Sequence, residues 1–257
     1  MEPLSVAIIT FNEAHRLEAC LAAVQSFADE VVILDSGSTD QTLSIAQAFG
    51  AKCHTHSFDG HIEQKNRILQ LTKHALVLSL DADEVVDAAL AEAIISVKKN
   101  RQANAYIVQR LNHYGPKPIY HGGWFPDFKC RLWIKTCGEW GGQNPHDAFQ
   151  LNPGIQTQTL PGFLLHYSFP DADAHAEKSK KYAAIAAQAY WKAGKKAYPG
   201  QGYVHGMARW LRDYIWRKGF LDGQAGWDIA AITFREVVLK YALLREKMKQ
   251  KRILSEG

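Results

Sequence analysis

The sequence contains few cysteines, and their spacing matches no metal or disulfide motif. The chain has four, at positions 20, 53, 130 and 137, with no C-x-x-C pair and no cluster with histidine. This spacing argues against both a zinc site and a disulfide framework. It favours a reducing, cytosolic setting.

Long hydrophobic runs and two common phosphate-binding motifs are also absent. Residues 1–5 carry no basic segment, and the apolar run Val6–Ile9 is too short for a signal peptide. No stretch approaches the length of a membrane span. We find neither the G-x-G-x-x-G of dinucleotide folds nor the G-K-[ST] of P-loops. We therefore expect a cytoplasmic protein that binds phosphate, if at all, by other means.

The composition is that of a globular protein with an uneven charge. The chain has 257 residues, of which 47% are hydrophobic and 22% charged, which suits one domain with a helical appendage. From Asp171 onward there are 17 Lys and Arg against 9 Asp and Glu, whereas the first 170 residues have 13 against 17. A basic tail of this kind predicts contact with a membrane surface or nucleic acid, and the alternative is a solvated helical face.

Strands alternate with helices over the first hundred residues. Apolar, β-branched runs are separated by segments with helical spacing, which predicts an α/β fold with a mostly parallel sheet. The ligand of such a sheet lies beyond the carboxyl ends of its strands. The predicted strands are Ser5–Thr10, Glu30–Asp35, Ala51–Thr55 and Ala75–Leu80, and the predicted helices are Glu13–Phe27, Gln41–Phe49, Ile62–Leu71 and Asp87–Lys98.

The pattern changes in the second half of the chain. Short β-type runs split by Gly, Pro and Trp predict a looped antiparallel region, and three helices are predicted after it. We expect a catalytic domain over residues 1–170, with a nucleotide half at about 1–100 and an acceptor half at about 101–170. A helical, basic region should follow over 171–257. The predicted runs are Tyr106–Arg110, Cys130–Ile134 and Phe163–His166, and the helices are Asp171–Ala193, Tyr203–Lys218 and Gly226–Lys249.

The most informative motif is a group of acids after the fourth strand. Asp81, Asp83 and Glu84 directly follow an apolar run. Asp81 and Asp83 are two positions apart and point the same way on an extended chain, so one pKa should rise unless a cation lies between them. Mg²⁺ is held in this way, by one or two carboxylates together with substrate phosphates. The motif predicts a site for a metal-chelated phosphate compound, and the alternative is a loop with a helix cap.

Polar residues also follow the first two strands. Thr10, Asn12 and Glu13 come after the first strand, and Asp35 ends the second. Asp35 can accept hydrogen bonds from a nucleoside, or it can cap its own turn. Because parallel strands end at one edge of the sheet, these groups should converge with the acids, which is stronger evidence than any single motif.

Three segments in combination resemble glycosyltransferase family 2. They are S-V-A-I-I-T-F-N-E, V-V-I-L-D-S-G-S-T-D and L-S-L-D-A-D-E. Members of this family are inverting enzymes with a GT-A-type, Rossmann-like fold, and they use nucleotide sugars. The resemblance implies that Asp35 contacts uracil, Thr10 lines the nucleotide pocket and Asp81 touches the ribose. It also implies that Asp83 holds Mg²⁺ or Mn²⁺ on the diphosphate, and that Lys65–Asn66 lies near the nucleotide.

Motifs of the second half resemble a bacterial subgroup, the glucosyltransferases of the lipopolysaccharide or lipooligosaccharide inner core. The segments are H-G-G-W-F-P-D, R-L-W, P-H-D, L-H-Y-S, G-F-L-D-G and G-W. The subgroup transfers glucose from UDP-glucose to a heptose. It usually has His-Glu where this chain has His146 and Asp147, so the carboxylate is kept on a shorter side chain.

An inverting transfer needs one general base within reach of the acceptor hydroxyl. Asp147 is the candidate, in a loop rich in Gly, Trp, Asn and His, and Asp127 is the second candidate. His146 is more suited to positioning. Arg131 is predicted to pair with a phosphate or, alternatively, to form a salt bridge within the antiparallel region.

The C-terminal helices have the composition of a membrane-surface segment. With α-helical spacing, one arc carries Met207, Trp210, Leu211, Tyr214 and Ile215, the arginines fall largely on the other side, and the chain ends in a polybasic stretch. We expect docking on the anionic inner face of the inner membrane, where a lipid A core acceptor would be reached. The alternative is ordinary packing of these helices. The basic residues of the final stretch are Arg245, Lys247, Lys249, Lys251 and Arg252.

Taken together, the sequence predicts a metal-dependent, inverting hexosyltransferase that moves glucose from a UDP-sugar to a core heptose. The same chemistry on a polyprenyl-linked or capsular acceptor is the near alternative. A sugar nucleotidyltransferase would need a Gly-rich basic loop, which residues 10–14 lack. A nucleic-acid-binding module would leave the strand-tip acids unexplained, so no nucleic acid partner is expected.

Overall fold

The computed structural model describes residues 1–143 and 146–256, without the side chains of Gln143, His146 and residues 251–256. The chain divides into two compact units. The first unit comprises Met1–Leu111 and Asp127–His166, and the second comprises Asn112–Pro126 and Tyr167–Gly257. The division differs from a boundary at residue 170, because residues 112–126 are bonded to the C-terminal region. Lys117 and His121 both bond to Asp222 there.

The helices and strands follow the predicted alternation. They are β1 Leu4–Thr10, α1 Ala14–Val24, β2 Glu30–Asp35, α2 Thr42–Ala48, β3 Lys52–Thr55, α3 His61–Leu71, β4 Leu76–Asp81, β5 Glu84–Val86, α4 Ala88–Lys99, β6 Ala105–Tyr114, β7 Lys117–Pro118, β8 Asp127–Ile134, β9 Gly138–Gln143, β10 His146–Leu151, β11 Thr157–Phe169, α5 Ala172–Lys192, α6 Gln201–Trp210 and α7 Gly223–Glu256.

The main sheet is parallel on one side and antiparallel on the other. Its order is β3-β2-β1-β4-β8-β6-β11-β5, and β7 pairs with β6. The strands β3, β2, β1 and β4 run parallel, whereas β8 is antiparallel to β4 and to β6. This arrangement confirms the expected α/β class. The antiparallel region continues the same sheet.

Both faces of the central strands are buried. Alternate residues of a strand point to opposite faces, so Val6 and Ile8 of β1 join Leu17 of α1 and Ile94 of α4 in one apolar cluster. Ala7 joins the other cluster. That second cluster also holds Val32, Leu34, Ile68, Trp133, Trp140 and Phe149. A central parallel strand requires such cover, which explains its continuous apolar sequence.

A two-stranded hairpin of β9 and β10 lies where the sequence predicted a loop. Trp140 pairs with Phe149 across the hairpin. The ring of Phe149 stacks on Trp133 of β8 at a centroid distance of 3.8 Å. The glycines of this segment mark close packing, since a Cβ on Gly141 would lie 2.6 Å from the side chain of Gln150. Burial of the aromatic rings therefore stabilises a hairpin that glycine content alone disfavours.

The second unit is mainly helical. Between α6 and α7 the chain forms a π-helical segment, Leu211–Trp216, and a 3₁₀ turn, Gly219–Asp222. The predicted helix Tyr203–Lys218 thus changes its helical type midway. Among the described helices, none is long and apolar enough to cross a bilayer.

His175 is buried among aromatic side chains of the second unit. Its ring contacts those of Tyr114, Trp124 and Phe169 at centroid distances of 5.6, 5.3 and 4.4 Å. Its Nδ1 has no hydrogen-bond partner among the described residues. Burial lowers the pKa of His175 to about 4, and the charge of Asp228 acts in the opposite direction.

We predict that His175 makes the protein less stable as the pH is lowered. Between pH 6.5 and about 4 the unfolded chain binds a proton here that the folded chain does not. The free energy of unfolding should therefore decrease as pH falls through this window, by about 3 kcal/mol in all. His175→Phe should lose less thermal stability than the wild type between pH 7 and pH 5, and His15→Gln, at an exposed position, serves as the control. Parallel losses in the wild type and His175→Phe would contradict the prediction.

Candidate active site

The ends of three neighbouring strands meet at one edge of the first unit. In the register of the sheet, Thr10 of β1 pairs with Asp35 of β2, and Ile9 pairs with Asp81 of β4. The structure therefore brings together the polar groups that follow β1, β2 and β4. This edge is where α/β sheets bind their ligands.

The loops after β1 and β2 are tied to each other. Asn12 has a left-handed backbone with φ 53°. Its backbone N–H donates to the Ser38 hydroxyl at 2.8 Å, and its side-chain oxygen accepts from the Thr39 N–H at 2.8 Å. The Glu13 N–H donates to the Thr42 hydroxyl at 2.9 Å. Asn12 and Glu13 thus fix the loops that border the candidate site.

Asp35 is fully buried and caps its own turn. One of its oxygens accepts from the N–H groups of Gly37 and Ser38 at 2.9 and 2.8 Å, and the other accepts from the Ser38 hydroxyl. The turn-capping alternative therefore describes its hydrogen bonds in this structure. Next to it in the sheet, the buried Thr10 hydroxyl has no hydrogen-bond partner among the described residues. Buried polar groups are normally satisfied, so Thr10 has capacity for a ligand.

Cationic side chains of the protein surround the paired acids. Lys65 and Arg131 each contact Asp81 at 2.9 Å. Burial opposes ionisation of Asp81, but these two charges hold its pKa well below the ordinary value. Burial likewise opposes ionisation of Asp83, and its contact with His166 at 3.3 Å outweighs this and lowers its pKa. Repulsion from Asp81 raises the pKa of Asp83, but the contact with His166 outweighs it, so the net shift of both carboxyl groups is downward.

Glu84 organises this group, and sequence reasoning assigned it no separate role. It is fully buried and bonds to Arg131 at 2.5 Å and Arg110 at 3.3 Å. Its second oxygen accepts from the backbone N–H of Asp81 at 3.0 Å. Arg131 thus joins β8 to the acids after β4, so its salt bridges extend beyond the antiparallel region. In the sequence, the signal for Glu84 was that it directly follows Asp83.

Lys65 links the two sides of the candidate site. Its ammonium lies 2.9 Å from Asp81 and 2.8 Å from Asp147, and 4.4 Å from the centre of the Trp140 ring. The neighbouring Asn66 bonds to both the N–H and the carbonyl of Trp140, at 2.9 and 2.8 Å. Asn66 therefore holds the hairpin that carries Asp147.

The two candidate bases differ in their partners. Asp127 contacts Arg110 at 2.8 Å and Lys129 at 3.0 Å through different oxygens. Burial opposes its ionisation, but Arg110 and Lys129 lower its pKa. Asp147 contacts Lys65 through one oxygen at 2.8 Å. Pro145 and the side chain of His146 lie outside the described part of the chain.

The acids suit a cation that is held partly by its substrate. Within residues 1–143 and 146–256, no group of three or more His, Cys, Asp and Glu side chains forms a metal cage. Asp83 and His166 form a carboxylate–imidazole pair at 3.3 Å. One or two protein ligands with phosphate oxygens completing the shell is a usual arrangement for Mg²⁺. The donor set therefore fits a divalent cation carried on a diphosphate.

The comparison with known families identifies the class of the protein. The model of the family "Glycosyl transferase family 2" matches residues 5–167, which is more than half of the chain. The chain belongs to this family. Its sheet, with the acids at the carboxyl ends of β2 and β4, is the GT-A-type fold that the resemblance implied.

Individual relatives are distant. An uncharacterised glycosyltransferase of Rickettsia bellii is 28% identical over 258 residues, covering 95% of this chain and 86% of the relative. The lipopolysaccharide core biosynthesis glycosyltransferase LpsC of Rhizobium meliloti is 26% identical over 262 residues, covering 94% of each chain. The chain is therefore similar over nearly its full length to a protein named for lipopolysaccharide core synthesis.

Solved structures resemble the chain only in part. TarS of S. aureus has a TM-score of 0.49 and 15% identity, covering 72% of this chain and 39% of TarS. The glucosyl-3-phosphoglycerate synthase of Mycobacterium tuberculosis, solved with Mn²⁺ and UDP, has a TM-score of 0.37 and 22% identity, covering 44% of each chain. This chain spans less than half the length of either protein.

Proposed function

We propose that the protein transfers a hexose, with glucose as the first candidate, from a UDP-sugar to a heptose of the lipopolysaccharide or lipooligosaccharide inner core. The observation that carries the proposal is the bridge made by Lys65. It lies 2.9 Å from Asp81, on the nucleotide side, and 2.8 Å from Asp147, the candidate base. Similarity to LpsC, a lipopolysaccharide core biosynthesis glycosyltransferase by name, supports this class of acceptor.

The strand tips provide the proposed donor site. Thr10 has an unpartnered buried hydroxyl, and Asp35 lies opposite it in the neighbouring strand. Asp81 contacts the ribose in this proposal. Lys65 and Arg131 supply positive charge next to the proposed position of the diphosphate.

Asp83 and His166 are the residues that would hold a divalent cation, Mg²⁺ or Mn²⁺. Carboxylate and imidazole both bind Mn²⁺, and carboxylate also suits Mg²⁺. When bound, such a cation stabilises the negative charge that develops on the departing diphosphate.

Asp147 is the proposed general base, and its partner is Lys65. The ammonium of Lys65 occupies one oxygen of Asp147, so the proposed base is freed when Lys65 is attracted to a second negative group. Asp81 and the donor diphosphate offer that second attraction. Donor binding would then free Asp147 for the acceptor hydroxyl, whereas Asp127 stays bonded through both oxygens.

The proposed acceptor is lipid-linked, which implies work at the inner face of the inner membrane. Lys247 and Lys249 of α7 belong to the basic stretch that we propose to contact anionic lipid. The side chains of Lys251 and Arg252, assigned to the same stretch from the sequence, lie outside the described part.

Two measurements test the proposal. Purified protein is incubated with UDP-glucose, UDP-galactose or UDP-N-acetylglucosamine and a heptose-terminated core oligosaccharide, and the products are analysed by mass spectrometry. The core of a strain lacking the gene is analysed in parallel. We expect one added hexose in vitro and one missing hexose in the strain. An unchanged core would exclude this acceptor and direct the assay to polyprenyl-linked or capsular sugars.

A further inference from the structure

The helix α6 packs on α7 through glycine. Gly202 and Gly206 are both buried, and a Cβ on Gly206 would lie 2.9 Å from the ring of Phe234. A Cβ on Gly202 would lie 3.1 Å from the Cβ of Tyr241. The two helices are therefore in close contact, and this face of α6 has no room for a large side chain.

Six large apolar side chains of α6 and the π-helical segment are exposed. Val204 and Trp216 are 69% and 73% accessible to solvent. This is the reverse of an ordinary amphipathic helix, whose apolar face is buried. An exposed apolar surface of this kind marks an interaction site. We name it the apolar ridge, and it consists of Tyr203, Val204, Met207, Leu211, Ile215 and Trp216.

Positive charges alternate with the apolar ridge along the chain. The side chains of Arg209 and Arg212 are 48% and 47% exposed, and Arg217 and Lys218 are exposed directly after the ridge. Asp213, the acid within residues 203–218, is buried and accepts from Arg212 at 2.7 Å. The surface therefore combines apolar side chains with a net positive charge.

We propose that the apolar ridge inserts into the headgroup and upper acyl region of an anionic phospholipid bilayer. Apolar side chains with flanking arginines are the composition of helices that lie in this region. A second copy of the chain is disfavoured as the occupant, because a symmetric contact would bring the net positive charge of both copies into one interface. The inference rests on the membrane contact in the proposed function and deepens it by assigning a second surface, and lipid binding tests it without donor or acceptor.

The ridge differs from the anchors expected from the sequence. Trp210 and Tyr214 are only partly exposed, and both pack against Trp227, at centroid distances of 6.0 and 5.6 Å. Attraction of basic residues to lipid is screened by salt, whereas burial of apolar surface is not.

Vesicle co-sedimentation tests the inference with full-length protein. The vesicles contain phosphatidylglycerol and phosphatidylcholine. A variant combining Val204→Gln, Met207→Gln and Trp216→Gln should lower the partition coefficient by about tenfold or more, from the lost apolar burial. These positions are exposed, so circular dichroism and thermal unfolding should not change. The matched control, Tyr182→Gln with Ile185→Gln on α5, alters exposed apolar residues outside the ridge and should bind like the wild type.

Salt and quenching separate insertion from surface attraction. Binding of the wild type should persist in part at high salt, and binding of the ridge variant should disappear there. Brominated lipid should quench wild-type fluorescence more than that of Trp216→Phe. Undiminished binding of the ridge variant, or no vesicle binding by the wild type, would overturn the inference. So would a wild-type dimer in sedimentation velocity that the ridge variant lacks, because a second copy would then cover the ridge.

Discussion

Asp83→Asn should lower turnover by roughly 10³-fold or more and abolish metal-dependent binding of UDP, because neutral asparagine is a far weaker ligand for a divalent cation. The side chain is 21% exposed, and its contacts are His166 at 3.3 Å and Arg16 at 4.0 Å. Since Asp83 is not part of the apolar core, its replacement should leave the fold intact. The loss should therefore appear in binding and catalysis and not in stability.

Calorimetry of UDP binding, with Mn²⁺ and with EDTA, measures this effect apart from turnover. Asp29→Asn is a suitable control, because Asp29 lies at the opposite end of the parallel strands and bonds to the Leu4 N–H at 2.8 Å. The control should bind UDP with Mn²⁺ like the wild type. Full activity of the wild type in EDTA, or metal-dependent UDP binding by Asp83→Asn, would exclude Asp83 as the metal ligand.

The parallel half of the fold was predictable from the sequence because local patterns determine it. The β-branched runs of β1, β2 and β4 are buried on both faces, and their ends are marked by Thr10, Asp35 and Asp81. Parallel strands next to each other necessarily end at one edge, so the convergence of these groups followed from element order alone. The family resemblance assigned a role to each of these residues, which spacing alone could not do.

The partners of the acids were not predictable in this way. Lys65, Arg131 and His166 reach Asp81 and Asp83 from elements far away in sequence, and no local pattern encodes such pairs. The hairpin that carries Asp147 was equally hidden, since its glycines are typical of a loop. Contacts of aromatic rings between β8, β9 and β10 stabilise it, and these depend on the tertiary fold.

Trp210 and Tyr214, the aromatic residues expected at a membrane surface, are only partly exposed in a helix that changes its type. An arc drawn with α-helical spacing places Trp210 and Tyr214 with Met207 and Leu211. The segment Leu211–Trp216 is π-helical, which alters the phase of the side chains, and Trp210 and Tyr214 pack against Trp227 instead. Ile215 and Trp216 of the same segment are exposed.

Asp147→Asn should reduce turnover by roughly 10²–10⁴-fold, the usual contribution of a general base. Asparagine keeps the size of the side chain and can still accept a hydrogen bond from Lys65, which lies 2.8 Å from Asp147. Lys65 also keeps Asp81 as a partner at 2.9 Å, so no buried cation is left uncompensated. The fold and the affinity for donor should therefore change little, and the loss should fall on the chemical step.

The comparison with Asp127→Asn decides between the two candidate bases. Asp127 is bonded to Arg110 and Lys129 through both oxygens, so its replacement should weaken a salt-bridge network and lower turnover only modestly. Turnover of both variants is measured at saturating donor, and UDP binding is measured separately. A large loss in Asp127→Asn with a small one in Asp147→Asn would exchange the two roles. If Asp147→Asn lost UDP affinity by as large a factor as turnover, the carboxylate would act on the donor through Lys65. The base would then be another group.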